Sequence, residues 1–211
     1  MWAVTRGLFI TFEGGEGAGK STQAQRLQAR LAEGGTRAVL TREPGGSPGA
    51  EAIRTLLVTG EADRWSPTAE TLLLYAARAD HIERTIRPAL DQGVWVICDR
   101  FADSTRAYQG AAGGASGRLI ADLERAVLGD LVPDLTLMFD LDPELGLQRA
   151  AGRGGAEVRF ESKGLEFHQR LRQRFLSIAA AGPSRCAVID AAADLDAVAA
   201  AVWAAVSERL L

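Results

Sequence analysis

Lysine is nearly missing from this chain of 211 residues: Lys20 and Lys163 stand against 22 arginines. Cysteine, histidine, methionine and tyrosine are equally scarce, at two each. Each shortage closes a class of reading. Cys98 and Cys186 both fall inside apolar runs ("VWVIC", "CAVID"), so they form no disulfide framework and read as reduced, buried thiols. His81 and His168 do not pair at metal-ligand spacing, and His168 reads as a helix-surface residue. A net charge of −3 leaves no overall basic field for nucleic acid or an acidic membrane. No stretch reaches the ~18 apolar residues that a membrane span needs. The first residues, "MWAVTRGLFITFEG", break into charge and glycine too early for a signal peptide. A cytoplasmic protein with neither nucleic-acid nor membrane partners is expected.

What the chain does contain is short apolar runs of strand length: "LFITFE" (8–13), "RAVLTRE" (37–43), "VWVICD" (94–99), "LTLMFD" (135–140) and "CAVID" (186–190). Each is apolar on both faces, which suits strands of a parallel sheet covered on both sides. Helical patterns alternate with them, over 19–34, 49–58, 68–91, 103–111, 116–129, 143–151, 162–181 and 194–210. The alternation argues for a doubly wound α/β domain filling residues 1–211 without a dividing linker. Four strands end in an acid, Glu13, Glu43, Asp99 and Asp140, and ligands of open parallel sheets bind beyond the carboxyl ends of strands.

The scarce lysine is placed with purpose. Gly14-Gly15-Glu16-Gly17-Ala18-Gly19-Lys20-Ser21, followed by Thr22, matches the phosphate-binding loop pattern, with a strand before it and a helix after. Glycines let backbone N–H groups turn onto phosphate oxygens of ATP, and the helix N-terminus adds its positive dipole end. Lys20 would reach the β- and γ-phosphates, and Ser21 would join a Mg²⁺ shell. An ammonium is a compact, mobile charge that arginine's wide fork does not replace. Such a loop alone does not name a reaction, since switches, motors and small-molecule kinases share it. Glu16, a carboxylate inside a loop built for anions, needs a cation or a hydroxyl beside it.

A kinase also needs a site for an acceptor anion. "CDRFADSTRAYQG" (98–110) opens at a strand end with Asp99 and Arg100, and Asp103 is positioned as a helix N-cap ahead of Ser104, Thr105, Tyr108 and Gln109. Upstream, "LLLYAARADH" (72–81) is an apolar helix interrupted by Arg78.

"FEGGEGAGKST", "TREPGG", "YAARADH", "DRFADSTRAYQG" and "LGLQRAAGRGGAEVRFE" follow one another in this order, and together the chain resembles bacterial thymidylate kinases from about Leu8 to about Leu176. The resemblance implies a P-loop nucleoside monophosphate kinase fold, with a five-stranded parallel sheet flanked by helices and a short lid at about 150–161. It implies a homodimer that uses Mg²⁺ to move the γ-phosphoryl of ATP onto dTMP. Two rivals stand beside it: another deoxynucleotide or nucleoside kinase, and a nucleotide-dependent switch. The switch would need a guanine-reading "NKxD" stretch, which the sequence does not contain.

The same resemblance implies roles. Glu16 faces the acceptor sugar, Arg100 clamps the dTMP phosphate, and Asp99 is directed at Mg²⁺ or its waters. Arg78 donates to a thymine carbonyl, Thr105 reads the pyrimidine edge beside Ser104, and Tyr108 stands where a 2′-hydroxyl would be. Gln109 supports them, and the kink at Pro44 lines the pocket, with Arg42 a weaker phosphate candidate. The loop carries no arginine, so the catalytic arginine comes from the lid, Arg153 first and Arg149 second, with Arg159 also in the segment. One position departs from the pattern. Four residues before Arg78, where the family places a phenylalanine against thymine, stands Leu74, which offers dispersion but no ring.

Overall fold

Five apolar runs become five parallel strands in the computed structural model, which describes residues 6–61, 63–151 and 163–211. They are β1 (Phe9–Gly14), β2 (Ala38–Arg42), β3 (Trp95–Asp99), β4 (Leu135–Asp140) and β5 (Cys186–Asp190), in the spatial order β2-β3-β1-β4-β5. The register sets Phe12 beside Asp99 and Gly14 beside Phe139, so the carboxyl ends of β1, β3 and β4 lie at one edge of the sheet. The long helices are α1 (Lys20–Glu33), α2 (Pro48–Val58) and α3 (Pro67–His81), then α6 (Gly117–Val127) and α7 (Pro143–Ala151), then α8 (Leu165–Ala181) and α9 (Leu195–Leu210). Two short ones, α4 (Arg87–Asp91) and α5 (Ala102–Thr105), complete the described helices named here.

Alternation along β1 divides the core. Ile10 and Phe12 pack with Leu27 and Leu31 of α1 and Val198, Val202 and Val206 of α9, whereas Phe9 packs on the other face with Ile86, Leu90 and Phe101. Burying each such side chain contributes roughly 1.5–3 kcal/mol. The edge strands correct the expectation of two covered faces. β2 is only half-buried or exposed along its length, and β5 leaves Val188 at 53% exposure. An apolar run reads alike in a central and an edge strand; only the sheet order separates them.

The helix expected over 68–91 forms, with a widened turn inside it. α3 ends at His81, a π-helical turn spans Ile82–Ile86, and α4 begins at Arg87. Pro88 supplies the reason: it has no N–H to donate, and its ring crowds the carbonyl four residues back, so the preceding turn widens. Local chemistry holds at other ends. Ser66 accepts the Ala69 N–H to cap α3, with Pro67 in its first turn, and Asp194 accepts the Asp196 and Ala197 N–H groups to cap α9.

Candidate active site

The loop between β1 and α1 is held by missing side chains. Gly14, Gly17 and Gly19 all have positive φ, and a Cβ on Gly17 would lie 2.0 Å from the Gly146 carbonyl oxygen of α7. A Cβ on Gly146 would in turn lie 2.5 Å from the Glu16 carbonyl oxygen. Loop and helix therefore meet backbone to backbone. Gly15 is open, while Ala18 is buried in the core beside the loop. Lys20 Nζ folds back to donate to the Gly15 carbonyl at 2.7 Å. Burial lowers its pKa to about 8 with help from Arg100, against the pull of Asp99, Glu16 and Glu13. Ser21 Oγ hydrogen-bonds Asp99 Oδ2 across from β3, and Asp99 Oδ1 is buried and has no partner among the described residues. Thr22 is exposed in the first turn of α1.

The acceptor residues meet the loop from the other side. Arg100 has φ of 69°, a left-handed conformation that turns the chain sharply after β3. Its Nη1 donates to the Gly14 carbonyl at 2.9 Å and to Ser104 Oγ at 3.3 Å, and Nη2 donates to Glu16 Oε1 at 3.0 Å. Tyr108 Oη donates to the same Glu16 oxygen at 2.6 Å, and the Arg100 guanidinium lies 5.0 Å from the centre of the Tyr108 ring. Glu16 thus has both the cation and the hydroxyl its position demands. Burial works against its ionisation, but Arg100, Lys20 and Tyr108 outweigh it and hold the carboxyl at about 2.

Deeper in, Arg78 is 2% exposed and donates to Glu43 Oε2, the Phe101 carbonyl and Thr105 Oγ1, at 2.7, 3.1 and 3.0 Å. Gln109 donates to Glu70 Oε1 at 2.8 Å. Leu74 and Pro44 are half-buried, the latter after a cis peptide bond with Glu43. Arg42 is drawn aside by an exposed pair with Glu51. Arg149 sits near the end of α7 and donates to the Ala191 and Ala192 carbonyls just past β5, at 2.9 and 3.5 Å. Arg153, Arg159 and most of the 150–161 segment lie outside the described residues.

Two expectations are corrected. Asp103 does not cap a helix. α5 starts at Ala102, with Phe101 as its N-cap, and the buried Asp103 pairs with Arg106 and Arg185, both at 2.7 Å. The capping acceptor comes instead from β1: Glu13 Oε1 accepts the Phe101 and Ser104 N–H groups at 2.8 and 3.1 Å, and Glu13 Oε2 meets Ser104 Oγ at 2.5 Å. Burial and the neighbouring Asp103 push Glu13 up to about 7. His168 is not on the surface either, being 4% exposed. It shares the α8 stripe with Leu171 and Phe175, a spacing of three and then four that marks an inward face. The sequence offered Glu13 as an acidic strand end and Glu43 as one beside the Pro44 kink, and nothing in it marked His81 as the buried neighbour of Glu43.

A phosphate loop after the central strand, with a second cluster of arginine, carboxylate and tyrosine meeting it at the adjacent strand end, defines a P-loop nucleoside monophosphate kinase. The sequence model of the family "Thymidylate kinase" matches residues 12–202. Thymidylate kinase of Caulobacter vibrioides is 66% identical over 98% of this chain and 99% of its own length, and that of Nitrobacter winogradskyi is 57% identical over 98% and 90%. The crystal structure of thymidylate kinase from Ehrlichia chaffeensis superposes with a TM-score of 0.77 at 37% identity, covering 96% of this chain and 99% of that one. The chain belongs to the thymidylate kinase family. It is an enzyme that phosphorylates dTMP with ATP in the synthesis of dTTP.

Proposed function

We propose how this chain's own residues carry out γ-phosphoryl transfer from ATP to dTMP, giving ADP and dTDP. The observation that carries the reading is the convergence on Glu16: a residue of the phosphate loop is bonded at once to Arg100 and Tyr108 of the acceptor segment, at 3.0 and 2.6 Å. Donor and acceptor subsites would therefore share one wall, which is what in-line transfer between two bound phosphates requires. Backbone N–H groups of Gly14–Ser21 and Lys20 hold the ATP phosphates. Arg100, with Ser104 beside it, takes the dTMP phosphate, and Glu16 accepts the acceptor's sugar hydroxyl. Tyr108 walls off the 2′ position, while Arg78 and Thr105 read the thymine edge over Leu74. Pro44 lines this pocket and Gln109 supports it. Arg153, with Arg149 second, supplies charge to the transferring phosphoryl from a lid at about 150–161.

Ser21 and Asp99 are the residues that would hold Mg²⁺. A hydroxyl beside a carboxylate with one buried, unpartnered oxygen suits a hard cation that takes its remaining ligands from phosphates and water. Bound there, the cation would neutralise charge on the β- and γ-phosphates. Two further readings belong to the same proposal. The exposed Leu56 of α2 and Leu72 of α3 support a homodimer joined across these neighbouring helices. The free, buried Cys98 and Cys186 support a reducing, cytoplasmic setting, and the single five-stranded sheet supports one undivided domain over residues 1–211.

The deciding measurement is a coupled ADP-release assay with dTMP, dUMP, dCMP and thymidine as acceptors. The reading requires the highest kcat/KM for dTMP and little turnover with thymidine, which lacks the phosphate for Arg100. Comparable rates on dCMP would discard the roles given to Arg78 and Thr105.

A further inference from the structure

Arg78 places a full charge in the interior and is held on two of its three nitrogens. Nε donates to Glu43 Oε2, while Nη2 donates to the Phe101 carbonyl and Thr105 Oγ1. Nη1 is buried and has no partner among the described residues. An unmet charged donor is destabilising, so this nitrogen is the one left for a ligand.

What keeps it free lies behind Glu43. The second oxygen of that carboxylate, Oε1, is 3.0 Å from His81 Nδ1, and His81 Nε2 is 2.8 Å from Thr41 Oγ1. His81 is fully buried at the end of α3, three residues after Arg78 on the same helix. A carboxylate only accepts, so Nδ1 carries the proton in this pair, while Nε2 and the Thr41 hydroxyl share a second hydrogen bond.

We infer that His81 is a positioning residue for the base-reading arginine. By occupying Glu43 Oε1, it restricts Glu43 to a single contact with Arg78 and leaves Nη1 as the nitrogen unspent for the base. The inference rests on the reading of Arg78 given above. Its physical basis is the alternative that His81 prevents. A carboxylate released from His81 can pair side-on with a guanidinium through Nε and Nη2 together, the stronger and more directional geometry. That pairing would draw Nη2 off Phe101 and Thr105 and rotate the guanidinium plane, carrying Nη1 with it.

Two near-isosteric substitutions separate this role from core packing. Asparagine places its amide nitrogen near Nδ1 and keeps a donor for Glu43, whereas the longer glutamine reaches toward Thr41 and leaves Glu43 unserved. The readouts are KM for dTMP, KM for ATP, kcat, the thermal midpoint, and the kcat/KM ratio of dTMP to 5-methyl-dCMP. The latter carries an amino group where thymine has its C4 carbonyl oxygen, and it lacks the N3 proton. His81→Gln should raise KM for dTMP by about tenfold, shrink the ratio by about tenfold and leave KM for ATP within about twofold. His81→Asn should stay within about threefold of the parent on each.

If both variants lower the thermal midpoint alike and neither moves the ratio, His81 is a packing residue and the inference is wrong. Arg78→Met tells the two layers apart. An unchanged ratio there overturns the reading of Arg78 itself, whereas a collapsed ratio in Arg78→Met with a normal one in His81→Gln overturns only the role of His81. Should His81→Gln not fold, His81→Asn carries the test alone, and a collapsed ratio in that folded variant overturns the inference.

Discussion

Lys20 shows at the residue scale how a site and a fold pull in different directions. Its ammonium is buried and, among the described residues, has no carboxylate partner at hydrogen-bond distance; it donates to the Gly15 carbonyl, and burial depresses its pKa to about 8. A depressed lysine favours the folded state only when neutral, so its contribution is lost as pH falls through about 8 and is a penalty at neutral pH. Lys20→Met, which keeps the stem and removes the charge, should abolish transfer and raise the thermal midpoint of the nucleotide-free protein. In a domain of this size each kcal/mol corresponds to about 2–4 °C. Near-normal turnover would remove Lys20 from the phosphate site. Tyr108 makes a second residue-scale case, because its ring and its hydroxyl do separable work. The ring packs near Phe167 and Phe175, and the hydroxyl serves Glu16. Tyr108→Ala should let ribo-TMP compete better with dTMP, whereas Tyr108→Phe keeps the wall and should preserve the preference. The two kcat/KM ratios check both outcomes; an unchanged ratio in Tyr108→Ala would deny the ring its role.

At the scale of elements, the phosphate loop and α7 are joined through glycine backbone at Gly17 and Gly146. A methyl group on Gly146 would sit 2.5 Å from the Glu16 carbonyl oxygen, a distance that backbone atoms must relieve by moving. Gly146→Ala should therefore displace Glu16 and lower kcat/KM for ATP and dTMP together, while α7, where alanine is the better helix former, stays folded. Steady-state kinetics alongside circular dichroism would check it, and unaltered kinetics would mean the loop yields without consequence. α7 also leads into the segment that carries Arg153. An arginine that engages mainly in the transition state acts on kcat more than on KM. Arg153→Ala should lower kcat by roughly 10³-fold with both KM values little changed. Arg149, already donating to the Ala191 and Ala192 carbonyls, should be the milder loss, and the reverse order would exchange their roles.

Across the whole molecule, two carboxyls at one end of the sheet, the buried Glu13 and the half-buried Glu16, are shifted in opposite directions. Glu16 is held down to about 2, so its contribution is present above the ordinary value of 4.5 and is lost only as pH falls through about 2. Glu13 is raised to about 7, so its contribution is full below 4.5 and is lost as pH rises through about 7. Glu13→Gln can still accept the Phe101 and Ser104 N–H groups and cannot ionise. Its unfolding free energy, from denaturant titration, should therefore gain on the parent's as pH rises from 5 to 8, by on the order of 1–3 kcal/mol. A difference that stays constant with pH would show that Glu13 does not titrate in this window.

Much of this protein is legible in its sequence, because the signals are local. Five apolar runs and a glycine loop between strand and helix depend on neighbours within a few residues, and each appears where periodicity and turn chemistry put it. The pairing of Glu16 with a cation and a hydroxyl is a local demand too, since a carboxylate among anion-binding amides requires them. The partners that answer demands like these are decided elsewhere. Asp103 turned from cap to ion pair because Glu13, 88 residues before Phe101, reaches the helix start first. Val188 is exposed because β5 is the last of the described strands in the sheet, a property of strand order. The chain of contacts from Thr41 through His81 and Glu43 to Arg78 joins a strand, a loop and a helix, and it exists only once β2 lies beside the end of α3. Local pattern thus determined which elements form and where the phosphate goes. Tertiary structure decided which buried charges face one another, since hydrogen-bond partners in an interior are chosen by distance in space.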